Sequence, residues 1–154
     1  IYQCDWSSDV CSSDLHFREV IDWVKRIFPN YRSDMKGLDW GRMYALYKDK
    51  QVNPKEFEAR IVALMEDEEV SNNKGIYEYL LSGDEKSLNL REFPDKIKKA
   101  KYESQQGICP MCSKHFEFNE MEGDHIVPWH QGGKTDAANC QMLCKHDNRT
   151  KSGS

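Results

Sequence analysis

Two short segments of this chain carry metal-ligand spacing. Cys109-Pro-Met-Cys112 sets two thiols three positions apart, and Cys144-Lys-His-Asp147 repeats that spacing with a carboxylate in its last place. Two thiolates so spaced grip one ion within a tight turn, and two such halves make a tetrahedral structural Zn²⁺ site. A lone CxxC could instead be a redox pair, but those sit between a strand and a helix in a βαβ setting, and no such setting is visible. Cys109, Cys112 and Cys144 are therefore expected zinc ligands. Asp147 stands where a fourth cysteine would complete the set; His146 and Cys140 are rivals for that place. Cys140 reads better as a small buried apolar residue on a strand.

Between the halves lies GDHIVPWHQGGKTDAANCQMLCKHDNRTKSG. Asp124-His125-Ile-Val-Pro, Gly132-Gly133, Asn139, Leu143-Cys144 and Asn148-Arg149-Thr-Lys151 occur there in an order that resembles the HNH endonuclease signature. The likeness covers residues 107–153. It implies a ββα-metal fold: a strand carrying Asp124 and His125, a loop, a second strand from about Asn139 to Leu143, and a helix carrying Asn148. By the same resemblance His125 is the general base, and Asn139 supports its loop or orients its ring. Asp124 and Asn148 would hold a catalytic cation.

The residue chemistry supports this. Phosphodiester hydrolysis needs an activated water and a cation on the phosphate and the leaving oxygen. Imidazole is the side chain best poised to take a proton near neutral pH. A carboxylate and an amide oxygen suit a hard Mg²⁺ or Mn²⁺ that keeps several waters. A single His beside a single Asp is usually structural; Asn139, Asn148, Arg149, Lys151 and the flanking cysteines give this pair its weight.

These residues need elements to position them. Neighbouring strand residues point to opposite sides, so a bend or bulge beside Gly123 is expected to aim Asp124 and His125 at one cleft. The loop Gln131-Gly-Gly-Lys134 can bring backbone amides to a phosphate. Lys134, Arg149 and Lys151 are expected phosphate contacts that position a DNA backbone without reading its sequence. His130 reads as a surface loop histidine, and Trp129 as packing under the loop. His115 is assigned to neither site.

Upstream the texture is helical. Phe17, Val20, Ile21, Val24 and Ile27 share one helical face before Pro29, and residues 38–47 form a second such run. Asn53-Pro54 opens a helix through Phe57, Ile61, Leu64 and Met65. Residues 75–81 form a short helix closed by Gly83, and Phe93-Pro94 opens another whose lysines make a basic face. Glu66 to Glu69 reads as a solvated helix end. An α+β chain is thus expected, with a helical region over residues 16–105 and a zinc-stapled nuclease module over 106–154. So short a module rarely folds on apolar burial alone.

The composition sets bounds. The chain has 154 residues and a net charge of -4, with 22 basic and 26 acidic groups. No apolar run approaches the roughly 20 residues that cross a bilayer. The overall charge gives no nucleic-acid signal, so any such signal must be local. Residues 5–15, DWSSDVCSSDL, resemble the translation of a sequencing-library adapter, and residues 1–15 are read as foreign or disordered, with the genuine chain starting near His16. Cytoplasmic residence is expected, since no export signal is visible and the thiols are better explained as ligands than as disulfides.

The segments FPNYRSDMKGLDWGRMYALYKD, GIYEYLLSGDEKSLNLREF and YESQQGICPMC resemble the C-terminal part of large bacterial proteins that begin with a ParB-like nuclease domain and end in HNH. Those proteins are related to the GmrSD restriction systems. That resemblance implies a tail of a restriction or phage-defence protein, fused to an upstream domain. The function expected from all this is metal-dependent hydrolysis of DNA. The rivals are a non-catalytic zinc-stapled DNA-binding module and an RNA-directed nuclease.

Overall fold

The computed structural model describes residues 8–153. They form two compact units, divided between Leu90 and Arg91. Among the described residues no helix is long and apolar enough to cross a membrane.

Among its described residues the first unit holds four α-helices: α1 (Ser8–Ile27), α2 (Trp40–Tyr47), α3 (Pro54–Glu66) and α4 (Gly75–Ser82). Their starts and stops follow local chemistry. The Asp39 carboxylate accepts the Arg42 amide at 3.0 Å, and the Asn53 side chain accepts the Lys55 amide at 3.1 Å, with Pro54 at the first helical position. Gly83 ends α4 in the left-handed conformation (φ 80°). The apolar faces meet around an aromatic centre, where the Phe28 ring lies 5.7 Å from Phe57 and 5.1 Å from Tyr77. Gly75 admits no side chain: a Cβ there would stand 1.6 Å from the Ser87 carbonyl oxygen.

Helix α1 runs back through residues 8–15, two turns earlier than the apolar spacing required; residues 1–7 of the stretch read as foreign lie outside the described residues. The acidic run also departs from expectation at one point. Glu69 is buried, and its amide donates to Asp67 Oδ1 at 2.9 Å, so the chain turns inward there instead of ending in solvent.

The second unit holds α5 (Asp95–Ser104), the antiparallel pair β1 (Met121–His125) and β2 (Cys140–Cys144), and α6 (Lys145–Ser152). This is the expected α+β chain, with helices first and a ββα module last. The division falls ahead of the residue-105 boundary expected from sequence texture, because α5 is tied to the hairpin. Gln105, just past α5, presents its amide to the open edge of β2. It donates to the Met142 carbonyl at 2.9 Å and accepts the Met142 amide at 2.8 Å, as another strand would. The Tyr102 hydroxyl donates to the Phe116 carbonyl at 2.9 Å. Met121, Met142, Leu143, Cys109 and Cys144 form the buried centre of this unit.

The β1–β2 register is one-to-one from Met121↔Cys144 to His125↔Cys140. The bulge expected beside Gly123 is therefore absent. Gly123 serves another purpose: a Cβ there would lie 3.0 Å from Lys98 Cγ and 3.5 Å from Phe93, so its bare backbone lets both side chains lie across the strand.

Candidate functional site

The knuckle comes first in the chain. The Cys109 amide donates to the Lys114 carbonyl at 2.9 Å and the Ser113 amide to the Cys109 carbonyl at 2.8 Å, folding residues 109–114 into a tight turn. Gly107, at φ 69°, leaves room for the Tyr102 hydroxyl and the His115 ring, each within 3.0 Å of where its Cβ would be. Cys144 ends β2 and caps α6, accepting the Asp147 amide on Sγ at 3.4 Å. The turn and the cap bring four ligand atoms together. Those of Cys109, Cys112, Cys144 and Asp147 all lie within 4.8 Å of one another, so the cluster could hold a metal ion. Cys109 Sγ lies 3.2 Å from Asp147 Oδ2, and the sulfurs of Cys112 and Cys144 are 4.0 Å apart.

Cys140 and His146 fall outside this cluster. Cys140 is wholly buried at the strand start. The cluster sets three thiols beside one carboxyl group. Burial, with side-chain hydrogen bonding to Asp147, Cys109 and Cys112 adding, pushes the Cys144 thiol up to about 11. Hydrogen bonds from Cys109, then Cys112 and Cys144, hold the Asp147 carboxyl below its ordinary range. A metal entering such a group displaces protons.

The second constellation lies at the other end of the hairpin. Regular pairing sends Asp124 and His125 to opposite faces of β1. Asp124 Oδ2 accepts from Gln141 Nε2, its cross-strand partner, at 2.8 Å, and from the ammonium of Lys151 on α6. That ammonium also donates to the His125 carbonyl at 2.7 Å. The Asp124 side chain is only 16% exposed, so the ion pair is largely sheltered from water. Two residues back on the same face, Glu122 Oε2 accepts from Asn148 Nδ2 at 2.6 Å.

The His125 ring goes the other way. It lies 4.4 Å from the Phe93 ring, and its Nε2 is 2.9 Å from Thr135 Oγ1. Thr135 Oγ1 donates in turn to the Arg91 carbonyl at 3.2 Å. A hydroxyl has one proton. That single proton is shared between two acceptor positions, the Arg91 carbonyl oxygen and the ring nitrogen Nε2.

Asn139 ties the loop between the strands. Its side chain accepts the Val127 amide at 2.7 Å and donates to the carbonyls of Val127 at 3.0 Å and Lys134 at 2.9 Å. Its backbone carbonyl accepts the Ile126 amide at 2.9 Å. All its side-chain bonds go to backbone, so it supports the loop and does not touch the imidazole. Gly133 is required by that packing, because a Cβ would stand 1.8 Å from the Val127 carbonyl oxygen. Lys134 and Arg149 are exposed, as is His130, while Trp129 is half-buried. Lys151 lies on Asp124 and on the His125 carbonyl.

Residues 109–154 match the family model of the HNH endonucleases. No curated protein and no solved structure matches the chain. The HNH segment thus covers the knuckle, both strands and α6. It supports a nuclease-type function in general, and nucleases of this kind use divalent metals.

The residues missed by sequence reasoning are those delivered by register and tertiary packing: Glu122, Gln141, Thr135, Phe93 and Gln105. Only Glu122 carried a local signal. It stands two positions before Asp124, hence on the same strand face.

Proposed function

We propose that the HNH segment is a metal-dependent endonuclease that hydrolyses DNA phosphodiester bonds, in a restriction or phage-defence setting in the cytoplasm. One observation carries the proposal. A cationic group, the Lys151 ammonium, already lies on Asp124 Oδ2 and the His125 carbonyl oxygen, at the residue that bears the imidazole. Those oxygens, with the Asn148 amide on the neighbouring helix, are the donor types that a hard divalent cation takes. Mg²⁺ or Mn²⁺ held by Asp124 and Asn148 would supply charge stabilisation to the phosphate and the leaving oxygen.

The remaining work falls to the chain. The His125 imidazole takes the proton of the attacking water, with its Nε2 beside Thr135. Asn139 holds the loop that carries Thr135, so it positions the base without touching it. Because Asp124 and His125 leave opposite faces of β1, the scissile phosphate lies against the end of the strand, where both can reach it. Lys134 and Arg149 hold the flanking phosphates. With a cation on Asp124, Lys151 would be free to serve as a third phosphate contact. Cys109, Cys112, Cys144 and Asp147 would hold Zn²⁺, which would staple the module of residues 106–154, with α5 as its buttress. The restriction setting rests on the upstream resemblance.

The test is incubation of the chain with supercoiled plasmid and with structured RNA in parallel, with Mg²⁺, Mn²⁺ or chelator. The proposal expects nicked and linear plasmid with either metal, none with chelator, and intact RNA. Cleavage of RNA alone, or cleavage undiminished by chelator, overturns it.

A further inference from the structure

We infer that Glu122 is a positioning residue that fixes which end of the Asn148 amide faces the catalytic cation. The inference rests on the proposed cation site and adds a residue to it.

An Asn side chain is a metal ligand only through its oxygen, yet its two ends are nearly equal in size, and rotation about the last bond exchanges them. A carboxylate only accepts hydrogen bonds. The 2.6 Å contact between Glu122 Oε2 and Asn148 therefore commits the nitrogen end to Glu122 and leaves the Oδ1 end for a cation. The bond is charge-assisted and short, hence stronger than a neutral pair.

The geometry that makes this possible is regular. Glu122 and Asp124 are two apart on β1 and share its face; Asn148 and Lys151 are three apart on α6 and are neighbours on the helix surface. The two rungs, Glu122 to Asn148 and Asp124 to Lys151, link the same two elements side by side. Asp124 is held in a complementary way, by a donated hydrogen bond from Gln141 Nε2 at 2.8 Å. A carboxylate ligand oriented by an amide thus stands beside an amide ligand oriented by a carboxylate. Supporting partners of this type, when removed, commonly cost roughly 10- to 100-fold in metal affinity.

The experiment is Mn²⁺ titration of the full, zinc-loaded chain without nucleic acid, with free Mn²⁺ read by electron paramagnetic resonance and melting temperature recorded for every variant. Glu122→Asp keeps the charge but is one methylene too short to hold the amide; Glu122→Gln keeps the length but can present a donor. Both are expected to weaken Mn²⁺ binding by about tenfold or more. The double variant Glu122→Gln with Asn148→Asp restores the bond with its polarity reversed, and it is expected to recover binding; it also serves if a single variant fails to fold.

Wild-type binding by Glu122→Asp overturns the inference, because charge alone would then suffice. A double variant that binds no better than Glu122→Gln also overturns it. Asp124→Asn separates the two levels of the argument. If it binds Mn²⁺ as wild type does, the cation site itself is misplaced; if it loses binding while the Glu122 variants do not, only the inference fails.

Discussion

Replacing Asn139 tests how the loop holds the base. The Ala variant removes three side-chain hydrogen bonds, at 2.7, 3.0 and 2.9 Å, to the backbone of Val127 and Lys134. Each such bond contributes about 0.5–1.5 kcal/mol net. Val127 and Lys134 are exposed, so water takes over part of their bonding. The expected loss is therefore at the lower end of the sum, about 1–2 kcal/mol, concentrated in opening of the loop. Asn139→Asp should be worse than Asn139→Ala. It keeps the acceptor for the Val127 amide but turns a carboxylate oxygen toward two carbonyl oxygens that now receive donors. Thermal melting and single-turnover plasmid cleavage, run on wild type and both variants, give the ranking. The account expects cleavage to fall in the order wild type, Ala, Asp, with the slope of DNA binding against salt unchanged. An Asp variant as active as wild type would refute the claim that donation to these carbonyls holds the loop.

Further expectations concern other parts of the chain. Thr135→Val removes the hydroxyl partner of His125 Nε2, and should lower kcat with little effect on DNA retention, checked by parallel kinetics and filter binding. Gly133→Ala forces a Cβ to within 1.8 Å of the Val127 carbonyl and should raise hydrogen exchange across residues 126–139 while leaving the first unit unchanged. Cys112→Ser should release zinc and lower the melting temperature; unchanged metal content by elemental analysis would remove the zinc assignment. In the first unit, the Arg32 hydrogen bond holds the Glu58 carboxyl below its ordinary range. Its stabilisation is therefore complete above the unfolded value and is lost as pH falls through the lower folded one. Glu58→Gln should flatten the acid side of the stability–pH curve, measured by melting at successive pH values, and leave the neutral range nearly flat.

Much of the architecture was legible because it is written in local spacing. The buried Phe57 and Ile61 of α3, the Asn53-Pro54 start and the Gly83 stop each depend on residues within a few positions, whereas on α1 Phe17 is exposed and Trp23 is buried beside Val20 and Ile27. The metal cluster was legible for the same reason: Cys109 with Cys112, and Cys144 with Asp147, each close within one turn. What the spacing did not carry was the side to which each group turns. Regular pairing sends Asp124 toward α6 and the His125 ring toward Phe93, without the bulge expected to aim both at one cleft. Gln141 reaches Asp124 through strand register, and Thr135 reaches His125 from ten positions further along the chain; neither partner has a sequence signature. Gln105 belongs with these, since its pairing with Met142 depends on where α5 docks and not on any periodicity.

The central claim is that the imidazole of residue 125 is the base of a cation-assisted hydrolysis. Single-turnover cleavage of supercoiled plasmid with Mn²⁺, comparing wild type with His125→Ala at matched DNA occupancy and zinc content, tests it most directly. The account predicts that the variant binds DNA and metal as wild type does but cleaves at least about a hundredfold more slowly, in keeping with the contribution of a positioned general base. Equal rates in the two proteins would contradict it.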